Sequence, residues 1–328
     1  MRHCAERRGA GSSKALLPLL ACWMAAAAAA GVDSAAGVDS AADTGAFNLQ
    51  QLATGVFLHS GRQLALDVPG HDDIANIGFV VGESCVAVID TGGSVAIGRA
   101  LRAAIRKQTS LPICYVVNTH VHVDHVLGNV AFKDDRPSFV GHAALVDAMA
   151  RSREFFVKEY GGDLDAPASA DQVIGPDRLV QRALTLDLGG RRLVLRAWPK
   201  AHTDCDLTVY DDRTGTLWTG DLLFRERLPA LDGSATGWLA AIDELAHMKI
   251  KLAVPGHGPI TRNLAAAVRP ESHYLQSLVD GVRAELAKGE PVEDAIEHVG
   301  RAEETHWLLW ENAHAHNVLR VYEELEWE

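Results

Sequence analysis

The sequence lacks the features of several protein classes. Acidic side chains outnumber basic ones and the formal net charge is −12, so the chain has no basic excess for binding nucleic acid. With 48% hydrophobic and 23% charged residues it is too apolar for a disordered chain. Beyond the first 30 residues the only cysteines are Cys85, Cys114 and Cys205, which lack metal-type spacing. At most one disulfide bond could form among them.

Long apolar runs are also missing, except near the N-terminus. Basic residues, among them Arg7 and Arg8, precede an apolar run over residues 15–30 that ends in small residues, as in export signals. The run is short for a membrane span, which needs about 20 residues. We therefore expect residues 1–30 to be a signal peptide, with a retained anchor or lipidation of Cys22 as alternatives. The mature protein would be periplasmic or secreted, without a membrane span.

The rest of the chain divides into three predicted parts. A tandem AGVDSA repeat makes residues 31–46 a flexible leader, because small and polar residues have nothing to pack against. We predict a folded domain over residues 47–262 and a C-terminal helical extension, residues 263–328, packed on it. Apolar, β-branched runs such as residues 85–90 alternate with helical patterns such as residues 97–107. This mixture predicts an α/β fold with two sheets and outer helices.

The most informative segment is THVHVDH at residues 119–125, directly after an apolar strand. In extended chain, residues two apart point to the same side, so His120 and His122 converge. The chain then turns, and Asp124 and His125 can face a second point. Imidazole and carboxylate groups are ligands that zinc accepts. Four such residues within six positions predict a metal site.

Three further segments offer the remaining ligands. His202 precedes the second predicted hairpin, Asp221 ends that hairpin in Thr-Gly-Asp, and His257 lies in a Pro-Gly-His-Gly turn. Each residue alone would more often be structural. Together they lie next to predicted strands, where the edge of a β-sandwich would gather them.

The order H-x-H-x-D-H, H-T, G-D and P-G-H-G resembles the metallo-β-lactamase superfamily across roughly residues 50–262. The resemblance implies a four-layer αββα sandwich of two mixed β-sheets with outer helices. It also implies that His120, His122 and His202 bind one Zn²⁺, that Asp124, His125 and His257 bind a second, and that Asp221 bridges them. An Asp at the bridging position resembles the glyoxalase II and lactonase branches more than the zinc β-lactamases with a Cys ligand.

A finer resemblance covers nearly the whole mature chain. NIGF at residues 76–79, LWTGDLLF at residues 217–224, LDGS at residues 231–234 and the terminal EWE resemble the quinoprotein relay system zinc metallohydrolases, which are related to the Sox-cluster hydrolases. The resemblance implies a periplasmic setting beside pyrroloquinoline-quinone-dependent dehydrogenases. It does not imply a substrate.

A dinuclear zinc centre predicts a hydrolase. Two zinc ions about 3.5–4 Å apart can share a water and lower its pKa toward about 7, which supplies hydroxide to attack an ester, thioester, lactone or amide carbonyl. Asp124 and Asp221 are the predicted catalytic carboxylates. Asp90, at the end of the first hairpin, is expected either to orient a ligand histidine or to serve only as a turn residue.

Two other functions remain open at this point. An iron-dependent oxidoreductase such as a persulfide dioxygenase could use the same fold, although seven ligands favour a dinuclear hydrolase. A zinc-containing carrier of a small molecule is the non-enzymatic alternative, and ligands on loops at strand ends argue against it.

Several residues outside the motifs also have expected positions. His71 is expected in a solvated turn, with a place at the pocket mouth as the alternative, and Cys205 is not expected to bind metal. His306, His314 and His316 are expected on a C-terminal helix packed against the body, with a pocket-lining role as the alternative. The loops expected to contact the substrate are residues 61–75 and 155–176.

Overall fold

The computed structural model describes residues 47–327, so the predicted signal peptide and leader lie outside the described residues. Within this range the chain folds into two β-sheets with helices on their outer faces. No helix among these residues has the length and hydrophobicity needed to cross a bilayer. The three cysteines of this range are free thiols.

The first sheet has seven strands in sequential order. The first four strands pair antiparallel, and the pairs from the fourth to the seventh are parallel, so the sheet is mixed. The strands are β1 (Leu49–Ala53), β2 (Val56–His59), β3 (Ile77–Val81), β4 (Val86–Ile89), β5 (Ile113–Val117), β6 (Ser138–His142) and β7 (Arg178–Val180).

The second sheet has five strands in the order β12-β11-β10-β9-β8 and is also mixed, because β11 and β12 pair parallel while the other pairs are antiparallel. Its strands are β8 (Ala183–Asp187), β9 (Arg192–Ala197), β10 (Leu207–Asp211), β11 (Thr216–Phe224) and β12 (Leu252–His257).

Most of the α-helices lie on the outer faces of the two sheets. Ser94 and Ser234 begin two of them by accepting a hydrogen bond from the backbone N–H three residues later, as N-cap residues do. The helices are α1 (Val95–Gln108), α2 (Val123–Val126), α3 (Leu145–Glu159), α4 (Ala235–Ala246), α5 (Leu264–Ala267), α6 (Arg269–Lys288), α7 (Val292–His298) and α8 (Trp310–Leu325).

Alternation along the strands sorts the apolar side chains into layers. On β4, Ala87 and Ile89 join the core between the sheets, whereas Val86 and Val88 face the layer that contains α1. The outer face of the second sheet packs against α4, α6 and α8. The predicted four-layer sandwich is therefore confirmed. The predicted boundary between residues 262 and 263 stays a prediction.

A buried ion pair joins the two sheets. Arg191 is 1% exposed and donates to both carboxylate oxygens of Asp211, at 2.9 and 2.5 Å. The same guanidinium donates to the carbonyl oxygens of Thr54 and Val81 on the first sheet. Burial raises the pKa of Asp211, but the bonds from Arg191 outweigh it and hold that pKa below its ordinary value.

Candidate metal centre

The first four predicted ligands follow β5 within a single turn of chain. His120 and His122 lie in the loop after Val117, the last residue of β5. Asp124 and His125 lie one step later in α2, which is the turn expected from the sequence, here wound as a short helix. All of these side chains except that of His122 are buried.

The remaining predicted ligands come from the second sheet. His202 lies in the loop between β9 and β10, and His257 is the last residue of β12. Asp221 was expected to end the second hairpin and lies instead inside β11, which continues to Phe224. The pairing of β11 with β12 shifts register around Gly220, whose φ of +52° belongs to the left-handed region. Such an irregularity redirects the neighbouring side chain.

The structure brings all seven side chains together in two groups. Within each group one ligand atom per residue lies within 4.8 Å of the others. One group is His120, His122, His202 and Asp221, and the other is Asp124, His125 and His257.

Asp221 touches both groups. One carboxylate oxygen, Oδ1, lies 3.2 Å from His125 Nε2. The other, Oδ2, lies 3.2 Å from His257 Nε2 and 3.6 Å from His120 Nε2. The Asp221 carboxylate is therefore placed where it can contact two cations at once.

Each histidine of the second group has one ring nitrogen held by the protein. His125 Nδ1 lies 2.9 Å from Asp90 Oδ2, and His257 Nδ1 lies 2.9 Å from the carbonyl oxygen of Ile74. Because these acceptors need a proton, they assign the N–H to Nδ1 and leave Nε2 free to bind a cation. Asp90 therefore contacts a predicted ligand, as one of its two expected roles requires.

The histidines of the first group are held in the same way. His122 Nε2 lies 2.6 Å from Asp232 Oδ2, and His202 Nδ1 lies 2.6 Å from the carbonyl oxygen of Ala230. The opposite nitrogens of these two rings, His122 Nδ1 and His202 Nε2, lie 3.0 Å apart and face the centre. His120 Nδ1 lies 3.0 Å from the Thr119 hydroxyl oxygen, which leaves its Nε2 facing inward.

Polar atoms without a partner mark the middle of the cluster. Among the described residues, His120 Nε2, His125 Nε2 and Asp221 Oδ1 are buried and make no hydrogen bond. A buried polar atom without a partner costs about 1–3 kcal/mol. A divalent cation would satisfy these nitrogen and oxygen donors together, so the residues fit a metal centre.

Several pKa shifts favour the protonation states that bind metal. Burial and the neighbouring histidine His125 lower the pKa of His120 well below its ordinary value, and burial with His122 lowers that of His202 to about 4. Burial would raise the pKa of Asp221, but the surrounding histidines hold it well below its ordinary value. Neutral imidazole and ionised carboxylate are the ligand forms.

The other three histidines behave differently without metal. Burial lowers the pKa of His122, but its hydrogen bond to Asp232 outweighs burial and raises that pKa. Burial lowers the pKa of His125 and of His257, but the neighbouring carboxylates, Asp221 first among them, outweigh it and raise both pKa values. These rings therefore hold protons that a metal ion must displace. Metal binding at the second group is expected to release protons and to strengthen as the pH rises.

A glycine makes room for the shared carboxylate. A Cβ atom on Gly256 would lie 1.7 Å from Asp221 Oδ1, a distance at which atoms overlap. The backbone there is fixed by Asn76, whose side-chain amide donates to the carbonyl oxygens of Pro255 and Gly258, both at 2.8 Å. The Pro-Gly-His-Gly turn therefore presents His257 and admits Asp221 at the same time.

The two loops expected to contact the substrate are joined beside the centre. His71 Nε2 lies 2.9 Å from Asp163 Oδ2, which links residues 61–75 to residues 155–176. His71 is half-buried and partnered, so the expected solvated turn is wrong for this side chain. The carbonyl of Asp72 accepts from the backbone N–H of Gly93, which in turn lies against Asp124.

Sequence reasoning missed the residues that hold the histidines in place. Asp232 belongs to the LDGS motif, which carried a family resemblance but no assigned role. His316 Nε2 lies 2.9 Å from Oδ1 of Asp232, whose other oxygen contacts His122, so Asp232 connects this histidine of α8 to a predicted ligand. His314 instead stacks on Trp310 inside the helical layer, as expected of a packing residue.

The sequence model of the metallo-beta-lactamase superfamily matches residues 71–257, which is more than half of the chain. The chain belongs to the metallo-beta-lactamase superfamily. All seven predicted ligands of this superfamily member lie within the matched range. A comparison with curated protein sequences finds no match.

Solved structures show the same fold at low sequence identity. A metallo-beta-lactamase from Pontibacter korlensis is 19% identical, with a TM-score of 0.55 over 70% of this chain and 98% of its own. A metallo-beta-lactamase family protein from Thermus thermophilus is 19% identical, with a TM-score of 0.59 over 84% of this chain and 94% of its own. A stereoselective inverting sec-alkylsulfatase from Pseudomonas sp. is 16% identical, with a TM-score of 0.62 over 84% of this chain and 50% of its own.

Proposed function

We propose that this superfamily member is a dinuclear zinc hydrolase that cleaves a small-molecule ester, thioester, lactone or amide. The observation that carries the proposal is the common orientation of five histidines. Each ring uses one nitrogen on a protein acceptor and turns the other toward the cluster that contains Asp124 and Asp221. A solvated polar loop would have no reason to fix five rings in this way.

The donor set supports zinc. Imidazole nitrogen and carboxylate oxygen are ordinary zinc ligands, and no thiolate lies among the clustered side chains of the described residues. Two metal ions here would supply hydroxide from water near neutral pH and polarise the scissile carbonyl. Asp221, which contacts both histidine groups, would fix the spacing of the two positions. Asp124, whose Oδ2 lies 3.2 Å from His257 Nε2, would bind the metal ion of the second group, next to the loop that contains His71.

The surroundings of the cluster support catalysis over a purely structural metal. Structural zinc sites are closed by four protein ligands, whereas catalytic sites keep a position open. Here the His122 side chain is 25% exposed, and its partner Asp232 is 48% exposed. The cluster therefore lies at an accessible end of the sandwich, flanked by the two joined loops.

The cellular setting is a further part of the proposal. The N-terminal apolar run supports export to the periplasm, and the motifs at residues 76–79, 217–224 and 231–234 support a place in the quinoprotein relay group. A functional link to pyrroloquinoline-quinone-dependent dehydrogenases follows from that placement. Fractionation of cells that express the full chain tests the export.

Metal analysis with a substrate panel tests the activity. The mature protein loaded with zinc is expected to hold two metal ions per chain and to hydrolyse at least one ester, thioester, lactone or amide. Asp221→Ala and His120→Ala are expected to lose hydrolysis and bound zinc. Asp243→Ala, at a side chain 80% exposed on α4, is the control and is expected to keep both.

Other outcomes would contradict the proposal. Full hydrolysis by a metal-depleted Asp221→Ala variant would show that the clustered ligands are not the catalyst. Oxygen consumption by the iron-loaded protein, with no hydrolysis by the zinc-loaded protein, would identify an oxidoreductase. Tight binding of a small molecule without turnover of any substrate, sulfate esters included, would identify a carrier.

A further inference from the structure

A short segment between β11 and α4 holds two predicted ligands of the first group. Within this 229–234 segment, Asp232 accepts from His122 at 2.6 Å, and the carbonyl oxygen of Ala230 accepts from His202 at 2.6 Å. Each bond takes the ring nitrogen that points away from the cluster. The position of the segment therefore sets the direction of both rings.

Asn317 of α8 fixes the backbone of this segment. Its amide nitrogen donates to the carbonyl oxygen of Pro229 at 2.7 Å, and its amide oxygen accepts from the backbone N–H of Leu231 at 2.9 Å. These two bonds bracket Ala230, the residue that holds His202. Asn317 is completely buried, and a buried amide must use its hydrogen bonds, so the helix and the segment are tied at this point.

Other residues of α8 fix Asp232 and the end of the segment. His316 Nε2 lies 2.9 Å from Asp232 Oδ1, and Arg320 donates to the backbone carbonyl of Asp232 at 3.1 Å. Glu324 accepts from the Ser234 hydroxyl at 2.6 Å and from the backbone N–H of Ala235 at 2.7 Å. One helix therefore contacts the segment from end to end.

The second group is supported without α8. His125 is held by Asp90 and His257 by the carbonyl oxygen of Ile74, both from the first half of the chain. Since α8 begins at Trp310, it also lies outside the matched range of residues 71–257. A change on α8 should therefore reach one metal position and spare the other.

We infer that α8 acts as the positioning element of the first metal position, with His316 orienting His122 through Asp232. The inference rests on the proposed dinuclear centre and concerns metal affinity at one of its positions. His316 and Asp232 are positioning residues, because neither is among the clustered ligand atoms. Groups that orient metal-ligating histidines typically contribute about 10–100-fold to metal affinity.

A double-mutant cycle on the full mature chain tests this inference. The variants are His316→Ala, Asp232→Ala and the pair combined, with Asn312→Ala as the control, since Asn312 is exposed on the same helix four residues earlier. The side chains of His316 and Asp232 are 38% and 48% exposed, so the variants should fold. The measurements are stepwise zinc affinity, the visible spectrum of the cobalt-loaded protein and the unfolding temperature.

Asp232→Ala is expected to weaken one of two zinc affinities by about 10–100-fold, and His316→Ala the same one by a smaller factor. The combined variant should be no weaker than Asp232→Ala, because His316 acts through Asp232 and the two effects do not add. The cobalt spectrum should change in the band of the weakened position only. His316→Gln, which keeps an N–H donor, should recover most of the affinity, and Asn312→Ala should match the wild type.

Three outcomes would overturn the inference. His316→Ala could leave both affinities at the wild-type value, it could weaken both equally as a general loss of stability would, or its effect could add to that of Asp232→Ala. In each case a wild type that binds two zinc ions and hydrolyses substrate would leave the proposed function standing. A wild type that binds no metal would overturn both.

Discussion

The tautomer of His125 gives the sharpest prediction, because one atom controls it. Asp90 accepts three hydrogen bonds, from the Thr119 backbone N–H at 2.8 Å, the Thr119 hydroxyl at 2.7 Å and His125 Nδ1 at 2.9 Å. Asp90→Asn keeps the size and shape of this side chain. It replaces one of the two acceptor oxygens with an N–H donor.

The amide introduced at position 90 can keep only part of this arrangement. Its oxygen must face the Thr119 backbone N–H, which can only donate, so its nitrogen faces His125. The Thr119 hydroxyl can rotate and accept, but His125 must move its proton from Nδ1 to Nε2. The nitrogen meant for the metal is then blocked.

The expected loss follows from this single bond. A hydrogen bond to a charged group contributes about 1.5–3 kcal/mol, which corresponds to about 10–150-fold in affinity. We therefore expect Asp90→Asn to weaken zinc binding at the position of Asp124, His125 and His257 by about that factor. The position of His120, His122 and His202 should lose less affinity, because Asp90 reaches it only through the Thr119 hydroxyl, which lies 3.0 Å from His120 Nδ1.

Competition between the protein and a chromophoric zinc chelator measures both affinities. Asp177→Asn is the matched control, because Asp177 accepts from the Ser138 hydroxyl at an exposed turn away from the cluster. Nitrogen chemical shifts of the His125 ring in the metal-free variant, recorded at a pH above the pKa of this ring, report the tautomer directly. If Asp90→Asn keeps both zinc affinities at their wild-type values while the His125 proton is found on Nε2, the reasoning is refuted.

Three further predictions concern packing, stability and pH. Gly256→Ala places a methyl group against the Asp221 carboxylate and the backbone of Gly220 and should weaken zinc binding at least about tenfold by chelator competition. Asp211→Ala leaves Arg191 buried without its carboxylate partner and should lower the free energy of unfolding, measured in urea, by about 3–5 kcal/mol. Asp212→Ala breaks a more exposed pair and should lower it by less than about 1 kcal/mol. Burial raises the pKa of Asp206 to about 7, so the metal-free folded state keeps a proton that the unfolded chain loses near its ordinary value of 3.8. The contribution of Asp206 to stability should then fall by about 1.4 kcal/mol per pH unit as the pH rises between these values, and Asp206→Asn should remove that contribution from the pH dependence.

Most of the fold could be predicted because its strands and helices produce patterns of apolar residues over only a few positions. The β-branched run that forms β4 and the helical period of α1 each need only neighbouring residues to be recognised. Helix α3 and the strands β1, β6, β7, β8 and β9 were not predicted. The apolar side chains of β8 alternate with exposed ones over only a few residues, which a loop can imitate.

The candidate ligands could be identified from the sequence for the same reason. His120, His122, Asp124 and His125 lie within six consecutive positions, so their spacing alone indicates a metal site. His202, Asp221 and His257 were found through their order and their place next to strands. The sequence could name these seven side chains but could not show that they converge.

The residues that orient the histidines were beyond the reach of the sequence, with Asp90 a partial exception. Asp232 lies 110 positions from His122, and His316 lies a further 84 positions along the chain. Backbone carbonyls such as those of Ile74 and Ala230 carry no side-chain signal at all.

By itself, the sequence determined the residue types that can bind metal and the alternation that sorts apolar side chains into layers, because both depend on chemistry within a few positions. The tertiary structure decided which ring nitrogen faces the centre, where Asp221 stands between the two groups, and that α8 supports one of them. Those features depend on contacts between distant segments, and such contacts exist only after the sheets and helices have packed.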